Sequence, residues 1–392
     1  MKQRKLALIV IFLMLAIAEY KLPSTKAQTA EPSKTPAGCY VDPAVIWNVA
    51  FSPDGRYLIA NWPPHSVRIW DVQSGAIVAT LTDNLIDSQE QFFFSPNNEY
   101  VITGGNTSIV ILWNVSTGEK VRTFRSKKYK IGHINAMAFS LDGDSILVAS
   151  GDGNSLWDLA SGAEDTHLSM EGEGGNFSEF SPDGNLILTQ SAGSQVRIWD
   201  KKSGELLHTF NDERGETGDY YRIMFSPDGK YILIPRRQET ILSDAKTFRT
   251  VHSLSAGWSD WQFSTNGKYL LAVKKPGTAF LWDVETGKLL NEFEAATGYA
   301  IKASFLNGQS ILIPKPLNIE HQTIVSIHDL ETGDELKEVV FDIPLIAMQV
   351  SAVAPDGKYL AIASYNNIAT TIVTNIVTLW DIQTGKRIRQ YC

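Results

Sequence analysis

Seven histidines and two cysteines are the residues of this 392-residue chain best suited to nucleophilic, acid–base or metal chemistry. His65, His133, His167, His208, His252, His321 and His328 are scattered, and none has metal-ligand spacing to another His or Cys. No Gly-x-Ser-x-Gly elbow, phosphate-cradling Gly-rich loop, dinucleotide fingerprint or His-Glu-x-x-His helix occurs. Asp142-Gly143-Asp144 and Asp152-Gly153-Asn154 are fragments of a calcium-loop pattern without its remaining ligands, so they read as turns. Asn106, Asn114 and Asn176 begin Asn-x-Ser acceptor sequences, which matter only in a eukaryotic host. The expectation is therefore no catalytic residue, no metal and no cofactor.

The serines and aspartates that do recur sit in turns. Phe51-Ser52-Pro53-Asp54-Gly55 precedes Trp70-Asp71, and Phe180 through Gly184 precedes Trp199-Asp200. Eight such units are marked by Phe51, Phe94, Phe139, Phe180, Phe225, Phe263, Phe305 and Val353, in steps of 38 to 48 residues. Ser-Pro-Asp-Gly suits a type I turn, with Pro setting φ at the second position and Gly closing the fourth. Tyr57-Leu58-Ile59-Ala60 follows as a short strand covered on both faces, and Val67-Arg68-Ile69-Trp70 as a third strand. Asp71-Val72-Gln73-Ser74-Gly75 makes a second turn, and Ala76 to Leu81 is the outer strand. Four short strands cannot hide their own faces, so the units must stack on one another. The expected fold is all-β, a β-propeller of eight four-stranded blades in a closed ring. Trp70, Trp113, Trp157, Trp199, Trp282 and Trp380 share one repeat position, which is what inter-blade packing requires.

With both turn motifs recurring in register, residues 46 to 392 resemble the WD-repeat family of β-propellers. The pattern departs at Ser243-Asp244, at Phe248 where Gly is expected, at His328-Asp329, at the short Leu306-Asn307-Gly308 turn and at Ala354. The family's Gly-His dipeptide survives only as Gly132-His133, so the buried His–Asp network that the resemblance implies is confined to blade 3. The resemblance implies a non-enzymatic module that holds protein or peptide partners. Trp282-Asp283-Val284-Glu285-Thr286-Gly287-Lys288 is also similar to the repeats of eight-bladed quinoproteins, which leaves an exported oxidoreductase as the alternative. The adjacent cysteine pair often found in those enzymes is missing here.

The first residues differ in kind. Lys2, Arg4 and Lys5 precede an apolar run from Leu6 to Ala18, which as a helix spans only about 20 Å of a roughly 30 Å hydrocarbon layer. Residues 1–27 are expected to be a signal peptide cut after Ala27, with cleavage after Ala18 and an uncleaved anchor at residues 6–18 as alternatives. Residues 28–38, rich in Pro, Thr, Ser and Lys, form an unstructured leader, and residues 39–392 the propeller. An extracytoplasmic location follows, periplasmic or secreted, with membrane contact only through an uncleaved anchor. Removing residues 1–27 takes away five basic residues and one acid, so the net charge moves from −8 to −12. Such an acidic propeller is a poor binder of phosphate backbones, and nucleic acid is not an expected partner. A monomeric propeller is expected.

Cys39 lies 12 residues before Phe51 and Cys392 lies 12 after Trp380, and Thr82 stands at both of those offsets from Phe94 and Trp70. Both cysteines therefore map to one point of the repeat, just past an outer strand, where blade 8 meets blade 1. In an oxidising compartment they are expected to form a disulfide that staples the ring. Free thiols are the alternative.

The two turn classes fall on one face of the ring, and the remaining loops on the other. That second face carries the variation: Lys127, Lys128 and Lys130 after blade 2, Asp212 and Glu213 after blade 4, Arg236 and Arg237 in blade 5, and Lys274 and Lys275 in blade 6. Insertions at 314–322 and 366–375 add to it. Variable loops on a rigid scaffold are the usual seat of binding, so this is the candidate partner face.

Overall fold

Among the described residues thirty-two strands, each paired only with its sequence neighbours, make eight four-stranded antiparallel sheets. The computed structural model describes residues 46 to 391 except 47, 63–65, 84–90, 106–108, 126–132, 152, 169–173, 192–194, 211–221, 237–238, 256–258, 275–276, 297–300, 307, 316–322, 342–347 and 369–371. The expected signal peptide, leader, Cys39 and Cys392 lie outside the described residues. The chain divides into residues 1–38 and a compact unit at 39–392, the second of which holds the described residues. Its blades form a ring, the β-propeller expected from the repeat.

Blade 1 comprises Val49–Phe51, Tyr57–Trp62, Ser66–Asp71 and Ile77–Thr82 from the channel outward. Tyr57–Trp62 is buried along its whole length, as its apolar run requires, whereas Ile77–Thr82 is mixed because one face and one edge meet solvent. Blade 8 is built the same way from Met348–Val353, Tyr359–Ile368, Ile372–Asp381 and Arg387–Tyr391. Each blade supplies all four of its own strands, so no strand is exchanged where blade 8 meets blade 1.

Side chains alone make that junction among the described residues. Trp70 packs on Tyr391 (ring centroids 5.6 Å apart) and edge-on to Trp62 (5.7 Å). Around them Leu58, Ala60, Ala361, Val377 and Leu379 complete one apolar cluster drawn from both blades. The Tyr391 hydroxyl donates to the Val72 carbonyl at 3.5 Å, and burial pushes its pKa up to about 12.

The other Trp residues at this repeat position are buried in the same sense, each against the preceding blade. Trp113 lies in the blade 1–2 cluster, Trp157 in blade 2–3, Trp199 in blade 3–4, Trp282 in blade 5–6 and Trp380 in blade 7–8. A buried indole N–H needs an acceptor. Two solutions occur. Trp113 and Trp199 donate across the sheet to Thr103 and Thr189, ten residues earlier, at 3.0 and 2.8 Å. Trp157 and Trp380 donate along their own strand to Ser155 and Thr378, two residues earlier, both at 2.8 Å. Trp282 has Ala272 and Phe280 at those positions, and its N–H is buried without a partner.

Ala272→Ser should therefore stabilise the protein by about 0.5–1.5 kcal/mol, and Thr189→Val should cost about 1–3 kcal/mol by orphaning Trp199. Urea unfolding of the two variants checks this; equal midpoints would show that the indole bonds carry no net stability.

Blades 5 and 7 complete their sheets despite their departures. His328 replaces Trp in blade 7, is buried, and places Nε2 2.9 Å from Ser326 Oγ, two residues earlier, so the ring keeps the polar contact of the indole. Ser243 replaces Trp in blade 5, and the missing aromatic bulk comes from Phe210 and Phe248 in the blade 4–5 cluster. Phe248 adopts φ +59, where an L-residue is strained by roughly 1–2 kcal/mol. Stacking on His208 (4.9 Å, 16°) and an edge contact with Phe210 (6.4 Å) offset that strain by about 0.5–1.5 kcal/mol each. His133 is exposed, so the buried His–Asp network implied for blade 3 does not form around it.

Outer strands also reach the next blade at its second turn. Arg122 donates to the Ala160 and Ser161 carbonyls at 2.6 and 2.8 Å, Lys337 to Gln383 O at 2.5 Å, and Arg389 to Gln73 O at 3.1 Å. Each of these donors lies nine residues after its blade's Trp position.

Candidate functional site

Antiparallel pairing puts the connections between strands one and two, and three and four, at one end of every blade. That end is self-satisfied. In Ser52-Pro53-Asp54-Gly55 the Ser52 hydroxyl donates to Asp54 Oδ1 (2.6 Å) and accepts from the Tyr57 N–H (2.8 Å). Ser181 and Asp183, and Ser226 and Asp228, repeat the contact at 2.5 and 2.6 Å. In the second turn Asp71 Oδ1 accepts from the Ser74 N–H and hydroxyl, both at 2.7 Å, which holds its carboxyl below the usual range. Asn114 does the same work, accepting from Ser116 and Thr117, so its side chain is committed to the turn.

Asp142 is the strongest case on this face. Burial disfavours its charge, but the Lys201 ammonium at 2.8 Å and the Ser140 hydroxyl outweigh burial and hold the carboxyl at about 2. A folded value below the unfolded one means stability that is whole above about 3.8 and lost as pH falls through about 2. Lys201→Met should raise the Asp142 carboxyl toward its ordinary value and move acid unfolding to higher pH; NMR titration of that carboxyl gives the check.

The opposite end carries the variable connections. Of the nine charged residues singled out there, Arg236 and Lys274 are described; Lys127, Lys128, Lys130, Asp212, Glu213, Arg237 and Lys275 lie outside the described residues. Arg236 is tied into its own hairpin: its N–H donates to Glu239 O at 2.8 Å, and its guanidinium lies 3.9 Å from Glu239 Oε1. Lys274 is exposed, and its carbonyl accepts from Gly277 in the hairpin turn at 2.9 Å. The two residues thus sit at one end of adjacent blades but differ in availability.

Structure adds charged residues to this end: Arg222, Asp260 and Lys302, which loop variation did not single out, and Lys315, from the insertion at 314–322. Lys302, leading into the inner strand of blade 7, bridges to Asp260 on that of blade 6 at 2.7 Å. Lys315 is held by Glu335 and Glu338 at 2.9 and 2.8 Å, and Glu338 foremost keeps its ammonium above the usual range. Arg222 stands over the Phe177 ring at 5.6 Å. Arg222, Asp260 and Lys302 each precede their repeat marker by three residues, so sorting by register rather than by loop length would have found them. Among the described residues no three His, Cys, Asp or Glu side chains are gathered as a metal would need.

Comparison with known proteins gives a consistent picture. A profile described as "WD domain, G-beta repeat" matches residues 118–170 and 176–200. Eukaryotic translation initiation factor 3 subunit I of Phaeosphaeria nodorum is 26% identical over 191 residues, 45% of this chain and 54% of that protein. Protein tipD of Dictyostelium discoideum is 25% identical over 279 residues, 68% of this chain and 43% of that protein. WD repeat-containing protein 1 of Mus musculus is 40% identical over 58 residues, 15% and 10% of the two chains. The chain spans about half, or less, of the length of these relatives.

Proposed function

Because the chain belongs to the WD-repeat family of β-propellers, we propose that it is a non-enzymatic scaffold holding protein or peptide partners on its variable face. The observation that carries this reading is the asymmetry of the two ends. One end spends its hydroxyls and carboxylates on turns of a single repeated design, whereas the other carries charge that differs from blade to blade, such as Lys274 and the Lys302–Asp260 pair, on a rigid ring. The protein acts outside the cytoplasm as a monomeric propeller, directed there by residues 1–27, and a Cys39–Cys392 bridge staples the blade 8–blade 1 junction. Such a bridge contributes about 2–4 kcal/mol. Two alkylatable thiols in exported protein would remove the staple.

Affinity capture of the mature chain from an extracytoplasmic extract, followed by mass spectrometry, tests the scaffold reading. Charge reversal at Lys127, Lys128 and Lys274 should abolish capture, while reversal of Lys358 on the uniform face should leave it intact. Retention by the first variant, or equal loss in both, sinks the assignment of the face.

A further inference from the structure

Glu179 lies on the inner strand of blade 4, Gly175–Phe180, opposite Leu188, while Phe177 lies opposite Gln190. Residues paired this way share a sheet face, so all four side chains turn toward blade 5. Leu188 and Phe177 enter the apolar cluster joining the two blades, to which blade 5 contributes Ile223, Phe225, Ile232 and Ile234. Within that setting Glu179 Oε2 is sealed from water with no hydrogen-bond partner.

Charge around it is sparse. The neighbouring strand of its own blade, Leu186–Ser191, carries none, and neither does the inner strand of blade 5, Met224–Phe225. Tyr231 on the following strand belongs to the blade 5–6 cluster and turns away. The cation that acts on Glu179 is Arg222, directly before Ile223, exposed and lying over the Phe177 ring. Burial pushes the Glu179 carboxyl up to about 7 against the pull of that guanidinium.

We propose that Glu179 and Arg222 form a proton-governed latch at the junction of blades 4 and 5, which sets how firmly the two blades are held together there. Protonated, Glu179 is compatible with its apolar neighbours. Ionised, it requires water or a guanidinium, and either draws Arg222 from Phe177 or loosens the junction. Arg222 follows the acidic segment that includes Asp212 and Glu213, so the use of the latch in partner binding rests on the scaffold reading, whereas its titration does not. A carboxyl raised in the folded state holds stability that is whole below its ordinary value of 4.5 and is lost as pH climbs through about 7.

Hydrogen exchange of the full chain, corrected for intrinsic rates, tests this between about pH 6 and about pH 8. Opening of 175–180 and 223–235 should rise by up to about tenfold in the wild type and stay level in Glu179→Gln. Arg222→Gln should move the rise to higher pH, since the charge that favours ionisation is gone. Equal profiles in wild type and Glu179→Gln overturn the latch. Should that variant fail to fold, a carbon-13 titration of Glu179 in the wild type decides, and a midpoint at the ordinary carboxylate value overturns it. A latch that titrates in a protein capturing no partner refutes the scaffold reading and leaves the latch standing.

Discussion

Trp70→Ala is expected to cost about 3–5 kcal/mol and to open the ring first between blades 8 and 1. Trp70 is 1% exposed and is the shared contact of Trp62 and Tyr391, so its removal takes the centre from the cluster that closes the ring. Consecutive blades are also tied by the chain that runs directly from one to the next. Blades 8 and 1 are separated by the length of the propeller, and each supplies its own four strands. What remains there among the described residues after the substitution is the Arg389–Gln73 and Tyr391–Val72 bonds and the flanking aliphatic residues. Hydrogen exchange in sub-denaturing urea should show Val49–Phe51 and Arg387–Tyr391 losing protection while the central strands of blade 4 keep theirs. Trp282→Ala supplies the comparison. It removes an indole N–H that is already orphaned, so it should fall at the lower end of the range. Equal costs with uniform loss of protection would mean that the closing junction is no weaker than the others.

Gly385→Ala is expected to cost about 2–5 kcal/mol, against about 1–2 for Gly184→Ala. Both glycines have positive φ, +67 and +73, so both alanines meet the same backbone strain. They differ in surroundings. A Cβ on Gly385 would stand 2.5 Å from the Val340 carbonyl oxygen and 2.9 Å from Val339 Cγ1, while one on Gly184 would meet nothing within 4 Å. A backbone carbonyl within a paired strand cannot step aside as a long side chain does, so the outer strand of blade 7 or the second turn of blade 8 must shift. Urea midpoints of the two variants separate the contributions. A Gly385→Ala cost matching that of Gly184→Ala would show that the contact between blades 7 and 8 is soft.

Strand order, both turn classes and the shared Trp position could be read from the repeat because each is set by neighbours a few residues away. Proline fixes φ at Pro53, glycine permits positive φ at Gly55, and Ser52 and Asp54 bond within the same turn. The departures at Ser243, Phe248 and His328 were equally visible, but their resolution was not. Whether Phe248 is tolerated depends on His208 and Phe210, which belong to the preceding blade. Whether an indole N–H is satisfied depends on Thr or Ser at one of two positions, on two different strands.

The candidate partner face shows the same division. Loop length and charge marked Arg236 and Lys274 together, yet only a folded hairpin ties Arg236 to Glu239. Arg222, Asp260 and Lys302 were passed over because they belong to strand entries rather than to long loops.

By itself, the sequence determined that there are eight units, that each is a self-contained sheet, and which loops share an end. Those outcomes follow from local turn chemistry repeated in register, and local interactions do not depend on what lies across a junction. Tertiary structure alone decided how the ring closes, which tryptophan of the shared position lacks an acceptor, and that Glu179 Oε2 is sealed in the junction of blades 4 and 5. These depend on side chains brought together from different blades, and burial, which sets their energies, exists only once the blades have packed.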